Sequence, residues 1–376
     1  MQFYLIAGEP SGDALGAALM AGLKQLVPEV EFHGVGGPLM QAQGLSSQFS
    51  MDELSVMGIA EVLPKYRALK RRISECADAV LRLKPDALIT IDSPDFCLRV
   101  AKLVKAASNT KTIHYVAPSV WAWRAGRAAK MARVIDHVLA LLPFEPPLMH
   151  AAGMGCDFVG HPVVSTPVAS KTEITEFRNR HGINDAPLLL ILPGSRRGEV
   201  ERLAPIFGQT LARLIQIRPD LRVVVPAASA VAPRVQELVV DWTGAPIVLE
   251  GDPAEKHAAF GAADVALAAS GTVSLELAAA STPMVIAYDM NWFSRIMISR
   301  MLKIDTVTLV NLVSETRMVP EFLGANCLPD RIADGLMAVL ENPQTQQAAM
   351  DLTMKRLGRG SEAPGLRAAK AVLNTL

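Results

Sequence analysis

The chain of 376 residues is longer than a single hydrophobic core usually serves, so two domains are expected. Half of the residues are apolar and a fifth are charged, a balance that excludes a disordered chain. Lys plus Arg equals Asp plus Glu at 37 each, which removes any global drive toward nucleic acid.

The apolar opening at residues 3–7 follows no basic leader, so it reads as a strand and not as a secretory signal. Gly8-Glu9-Pro10-Ser11-Gly12-Asp13 comes next, then Leu15, Leu19, Leu23 and Leu26 at helical spacing, with Ser11 the expected helix cap. Further strands are expected at residues 32–35, 87–91, 112–116 and 137–141. Proline and polar residues break the pattern at residues 161–170. A second series opens with the strand 188–192, the loop Gly194-Ser195-Arg196 and a helix face of Val200, Leu203, Ile206, Phe207, Leu211 and Leu214. Strands follow at 222–225, 247–249, 264–268 and 283–287. The tail reads as helical, with a stripe of Ile332, Leu336, Val339 and Leu340 and another short helix at 365–376. Short apolar strands alternating with helices imply parallel sheets covered on both faces, an α/β chain. The expected division is 1–164, 165–345 and a helical tail 346–376, which packs back or is swapped with another chain.

Loops at the carboxyl ends of parallel strands are where anionic ligands settle. Gly194 permits close backbone approach, Ser195 can donate a hydrogen bond, and Arg196 can answer a phosphate. Arg197 reads as its partner or as a solvent-facing charge. Ser270-Gly271-Thr272 closes another strand, and Glu276 one turn later can reach a ribose hydroxyl; the plainer reading is that Ser270 caps the helix and Glu276 faces water. The Gly8–Gly12 spacing does not reproduce a dinucleotide fingerprint, and no P-loop occurs. Asp92 and Asp95 lack further ligands for a metal, and Cys76, Cys97, Cys156 and Cys327 are scattered without ligand-like pairing. Neither a metal nor another cofactor is expected, and the scattered cysteines fit a reducing compartment.

No run reaches the ~18 apolar residues of a membrane span. A membrane-facing patch is nevertheless readable in Val56, Met57, Ile59, Val62, Leu63 and Tyr66, beside the basic Lys65, Arg67, Lys70, Arg71 and Arg72. The same spacing also suits a core stripe with a solvated helix face.

Ordered motifs along nearly the whole chain resemble the lipid-A-disaccharide synthases, a bacterial glycosyltransferase family. They are Ala7-Gly8-Glu9-Pro10-Ser11-Gly12-Asp13, Ile91-Asp92-Ser93-Pro94-Asp95-Phe96, the segment from Tyr115 to Arg124, Phe158-Val159-Gly160-His161-Pro162, Leu192-Pro193-Gly194-Ser195-Arg196, and Ser270-Gly271-Thr272 with Glu276. The resemblance implies a GT-B arrangement, two Rossmann-like domains around a cleft, the first for the acceptor and the second for the nucleotide sugar. It implies transfer from UDP-2,3-diacylglucosamine to 2,3-diacylglucosamine 1-phosphate with inversion, at the cytoplasmic face of a Gram-negative inner membrane. A homodimer fits the same family. Asp95 matches the catalytic aspartate and Glu9 lies in the matching first loop, as a substrate-positioning acid or a helix-end charge. Asp92 is a loop-positioning candidate, and Asn311 matches a polar position that binds donor or makes a turn hydrogen bond. Trp121, Trp123 and Arg124 wall the acceptor site or lock their loop. Pro10 and Ser93 stand where close relatives often carry Ala, which leaves the motif acids in place. The enzyme alternatives are another GT-B enzyme such as a UDP-sugar epimerase; the non-enzyme alternative is a noncatalytic nucleotide-binding protein.

Overall fold

The structure, a computed structural model, describes residues 1–54, 59–121, 126–289 and 305–376, and for residues 59–66 the backbone alone. The chain divides into two compact units, Met1–Ser165 with Gly360–Leu376, and Thr166–Arg359.

The first unit runs β1 (Gln2–Ala7), α1 (Pro10–Leu26), β2 (Glu31–Val35), α2 (Pro38–Ala42), β3 (Ser46–Ser47), α3 (Ile59–Leu83), β4 (Ala87–Ile91), α4 (Pro94–Ala107), β5 (Lys111–Tyr115), α5 (Gly126–Met131), β6 (His137–Ala140), α6 (Pro146–Ala151) and β7 (Gly155–Phe158). Its seven strands lie in the order β3-β2-β1-β4-β5-β6-β7, with every pairing parallel. Strand side chains alternate between faces, and β1 shows the result. Phe3, Leu5 and Ala7 enter one core with Leu15, Leu19 and Leu23 of α1; Tyr4 and Ile6 enter another with Ile73, Cys76 and Val80 of α3. Both faces are covered, which is why the central strands β1 and β4 are largely apolar.

The second unit repeats the plan with α7 (Lys171–Arg180), β8 (Leu188–Leu192), α8 (Arg197–Ile217), β9 (Arg222–Ala227), α9 (Ala232–Val239), β10 (Ile247–Glu250), α10 (Pro253–Ala262), β11 (Val265–Ala268), α11 (Val273–Ala279), β12 (Met284–Tyr288) and β13 (Glu321–Leu323). Its order is β10-β9-β8-β11-β12-β13, again all parallel. Val200, Leu203, Phe207, Leu211 and Leu214 are buried against one face, with Ile206 partly buried beside them. Ile332, Leu336 and Val339 of helix Pro329–Glu341 join the same core, Leu340 at its margin. The two-domain, mostly parallel α/β architecture is therefore as expected.

Three strands escape the sequence reading. β3, β7 and β13 are two to four residues long, lie at sheet edges and are only partly buried, so no apolar run marks them. The expected cap at Ser11 is corrected: Glu9 is the N-cap residue of α1, Pro10 holds the first helical position, and Ser11 lies inside the helix. Proline suits that position because its missing N–H has no intrahelical partner there anyway. The last helix, Pro364–Thr375, packs on α1 within the first unit. Ala368, Ala369 and Val372 are fully buried there, and Arg367 donates to the Phe158 carbonyl at 2.7 Å.

Candidate active site

Strand order reverses at β1/β4 in the first unit and at β8/β11 in the second. At such a point the connecting chains leave in opposite directions, so the loops beyond the strand ends border a crevice.

In the first unit those loops are Gly8-Glu9 after β1 and Asp92-Ser93 after β4. They meet closely: a Cβ on Gly8 would stand 2.6 Å from Ser93 Oγ. Asp92 and Ser93 have φ of 50° and 44°, two consecutive left-handed residues without a glycine. Each costs of order 1 kcal/mol, strain that tends to gather at functional loops. The bend is braced by the Asp92 amide donating to the Tyr115 carbonyl at 3.0 Å. It delivers Asp95 exposed in the first turn of α4, where the helix end favours a negative charge. Glu9, partly exposed, begins α1 on the neighbouring loop.

The other acid of the first motif does something different. Asp13 is 2% exposed and accepts from the Gly37, Leu39 and Met40 amides at 2.9, 2.9 and 3.0 Å. It caps α2 from a different helix, and Gly37 lacks the Cβ that would sit 2.6 Å from its carboxylate.

In the second unit, a pocket of about 630 Å³ opens at the switch point, lined by Gly194, Ser195, Arg196, Ser270, Gly271, Thr272 and Glu276. Two segments 74 residues apart, read from Gly194 to Ala268, are thus brought together by the pairing of β8 with β11. Gly194 adopts φ +121°, and a Cβ there would come within 2.9 Å of the Glu199 side chain. Gly271 adopts φ +146°, reachable without strain by glycine alone. Arg196 is the N-cap residue of α8, 67% exposed, with its guanidinium a loose 3.8 Å from Glu199. Arg197 pairs with Glu201 at 2.9 Å and is not part of the lining, which is the solvent-facing alternative.

The N-cap residue of α11 is Thr272, so Ser270 is free of that duty. Glu276 turns into the pocket and accepts from Lys256 of α10.

The strand-end pattern was legible, but Ser229, Glu250, Asp252, Lys256 and His257 also line the pocket and were missed. Ser229, Glu250 and Asp252 lie at or just after the ends of β9 and β10, where a consistent search of strand ends would have found them, whereas Lys256 and His257 lie inside α10 and carry no such mark.

Other candidates lie elsewhere. Asn311 is 1% exposed and absent from the pocket lining. Its Nδ2 donates to the Val319 carbonyl at 2.9 Å and its Oδ1 accepts from the Val319 amide at 3.0 Å, the turn bonding left open by the sequence. Trp121 packs edge-on against Phe144, ring centroids 5.5 Å apart, which suits loop locking. Trp123 and Arg124 lie outside the described residues, as do Val56 and Met57. Ile59, Val62, Leu63, Lys65 and Tyr66 fall in α3, where the side chains are outside the description. Farther along α3, Arg67, Lys70 and Arg71 are exposed. Arg72 is committed to Glu53 and Glu75, at 2.7 and 2.8 Å, so its charge is answered inside the protein. No helix among the described residues is long and apolar enough to cross a membrane, and none of their His, Cys, Asp and Glu side chains group as a metal site.

Residues 3–373 match the family model described as lipid-A-disaccharide synthetase. The lipid-A-disaccharide synthase of Ruegeria pomeroyi is 64% identical over 383 residues, covering 100% of this chain and 96% of that one. The chain belongs to the lipid-A-disaccharide synthase family. The Rhodospirillum centenum synthase is 49% identical, covering 99% of this chain and 94% of its own. As a lipid-A-disaccharide synthase family member, the chain is a glycosyltransferase enzyme of GT-B-like fold. Similarity in structure reaches further than similarity in sequence. The UDP co-structure of MnaA from S. aureus matches with a TM-score of 0.67 at 13% identity, covering 100% of this chain and 97% of that one. UDP-GlcNAc 2-epimerase from Neisseria meningitidis, bound to UDP-GlcNAc, matches at 0.66 and 12%, covering 100% and 99%. At that identity the likeness is one of fold, whereas the synthase family accounts for the motifs as well.

Proposed function

We propose that the chain joins UDP-2,3-diacylglucosamine to 2,3-diacylglucosamine 1-phosphate, releasing UDP and forming the β-1′,6-linked disaccharide phosphate. The acceptor's primary hydroxyl oxygen attacks the donor anomeric carbon, the bond from that carbon to the diphosphate oxygen breaks, and the hydroxyl proton passes to Asp95. Attack opposite the leaving group inverts the centre. The observation that carries this reading is the pocket uniting Arg196, the Gly271 turn and Glu276 at the second switch point in a chain of this family.

Within the pocket, the amino end of α8 and Arg196 answer the negative charge that grows on the departing UDP. Gly194 and Gly271 let backbone approach the diphosphate, and Glu276 accepts from the ribose hydroxyls. Asp95 is the base, Glu9 positions a substrate hydroxyl, and Asp92 holds the loop in its bent form. The exposed Arg67, Lys70 and Arg71 face anionic headgroups, with the enzyme seated on the cytoplasmic face of the inner membrane. Two copies associate in this reading, which a solution mass measurement tests, and flotation with anionic vesicles tests the membrane seat.

The decisive experiment supplies purified protein with both acylated glucosamines and follows UDP and disaccharide phosphate by mass spectrometry. Equimolar appearance of both products is expected. Folded protein that makes no disaccharide from dispersed substrates overturns the assignment.

A further inference from the structure

Lys256 and Glu276 stand twenty residues apart in the chain, one on α10 and the other on α11. In the folded unit Lys256 Nζ donates to Glu276 Oε2, and both side chains line the pocket. The ammonium also lies 5.1 Å from the Phe260 ring centroid, so its alkyl stem is laid along α10 toward α11. The charge of the lining makes this pairing consequential. Arg196 and Lys256 are the described Lys and Arg side chains of the pocket, against the carboxylates of Glu199, Glu250, Asp252 and Glu276. A diphosphate entering that field meets more acid than base, and an unneutralised Glu276 would repel it across the same pocket. A single ammonium on one carboxylate oxygen removes that repulsion and fixes the plane of the group. The second oxygen is then presented as an acceptor.

We infer that Lys256 is a positioning residue for nucleotide binding: it neutralises and orients Glu276 so that the carboxylate accepts from the ribose hydroxyls of the donor. The inference rests on reading Glu276 as the ribose contact. Lys256 acts through Glu276 and supports affinity for the nucleotide, with no part in making or breaking the glycosidic bond.

Calorimetric titration of UDP and of 2′,3′-dideoxy-UDP into the full chain separates the possibilities. Wild type is expected to bind UDP roughly tenfold more tightly than the dideoxy nucleotide, about the effect of a hydrogen bond to a charged group. Lys256→Met should lose most of that preference: UDP weakens roughly tenfold more than the dideoxy nucleotide, whose smaller loss is the repulsion between its diphosphate and the unanswered Glu276. Lys256→Arg should restore most of the affinity for UDP. In a Glu276→Gln background, Lys256→Met should change little, because the coupling it serves is already gone. In turnover, Lys256→Met should raise the donor KM and leave kcat in place, while the melting midpoint of the free protein stays at the wild-type value. Equal losses for both nucleotides would assign the ammonium to the diphosphate and overturn the inference, as would unchanged UDP binding by Lys256→Met. A wild type indifferent to the ribose hydroxyls would instead overturn the reading of Glu276 itself, and Lys256's role with it.

Discussion

Asp95 reaches its place through a loop that spends free energy on conformation. Two adjacent left-handed residues, Asp92 and Ser93, turn the chain between β4 and α4 so that the aspartate emerges exposed. Asp95→Asn keeps size and shape but removes the carboxylate proposed as the proton acceptor. It should lower kcat by roughly 10²–10⁴-fold, the usual worth of a general base, with UDP affinity near that of wild type. Disaccharide formation and a parallel UDP titration check both halves of that expectation. A second carboxyl behaves oppositely. Glu145, 4% exposed beyond β6, is pushed up to about 7 by burial, against which its bond from the Leu142 amide works only in part. Its folded form holds a proton that the unfolded chain releases from about pH 4.5 upward, so this group's contribution to stability falls as pH rises from there to about 7. Glu145→Gln should therefore gain on wild type across that window, by on the order of 2 kcal/mol at its upper end. Urea midpoints of both proteins at pH 5 and pH 8 measure the gain, and a constant difference would contradict it.

Between elements, polar side chains settle geometry that apolar packing leaves loose. Asp13 of α1 holds three amides at the start of α2, and Gly37 makes room for it. Asp13→Asn turns one acceptor oxygen into a donor facing the Leu39 amide. A loss of about 2 kcal/mol is expected in denaturant unfolding, the cost of leaving a buried donor without an acceptor. Sequence reading recognised Asp13 as part of a motif and could not tell its work from that of Glu9. Both are acids in one short motif, and only the fold shows that one points at α2 from within α1 while the other begins α1. The strands show the same limit differently. Ten were legible because burial on both faces demands continuous apolar runs, as in Leu188–Leu192, whereas the edge strand Gly155–Phe158 exposes Gly155 and Asp157. The pocket was half legible. Gly194, Arg196 and Gly271 announce themselves by residue type after a strand, but Lys256 sits in an ordinary charged helical turn, and nothing local ties it to Glu276.

For the whole molecule, the two units have separate cores. The second unit contains every residue of the described pocket, and the first contains Asp95. The last helix belongs to the first unit by close backbone contact: a Cβ on Gly365 would stand 2.5 Å from the Ala18 carbonyl oxygen, and one on Gly22 would stand 2.7 Å from the Gly365 carbonyl oxygen. Backbone atoms cannot swing aside as a side-chain tip can. Gly365→Ala should thus cost the first unit about 1–3 kcal/mol, in line with other overpacked contacts, and leave UDP affinity in the second unit within about twofold. Faster amide exchange confined to α1, β1 and the last helix, alongside an unaltered UDP titration, is the expected signature.

That contact also sets an order of events during synthesis. Strand β1 and helix α1 leave the ribosome before the Thr166–Arg359 unit, yet the helix that packs on α1 is translated after that entire unit. Domains fold as units while the chain grows, so the Thr166–Arg359 unit can finish before the unit that precedes it in the chain. Until residues 364–375 arrive, the face of α1 around Ala18 and Gly22 stands uncovered, and the shared core lacks the buried Ala368, Ala369 and Val372 that complete it.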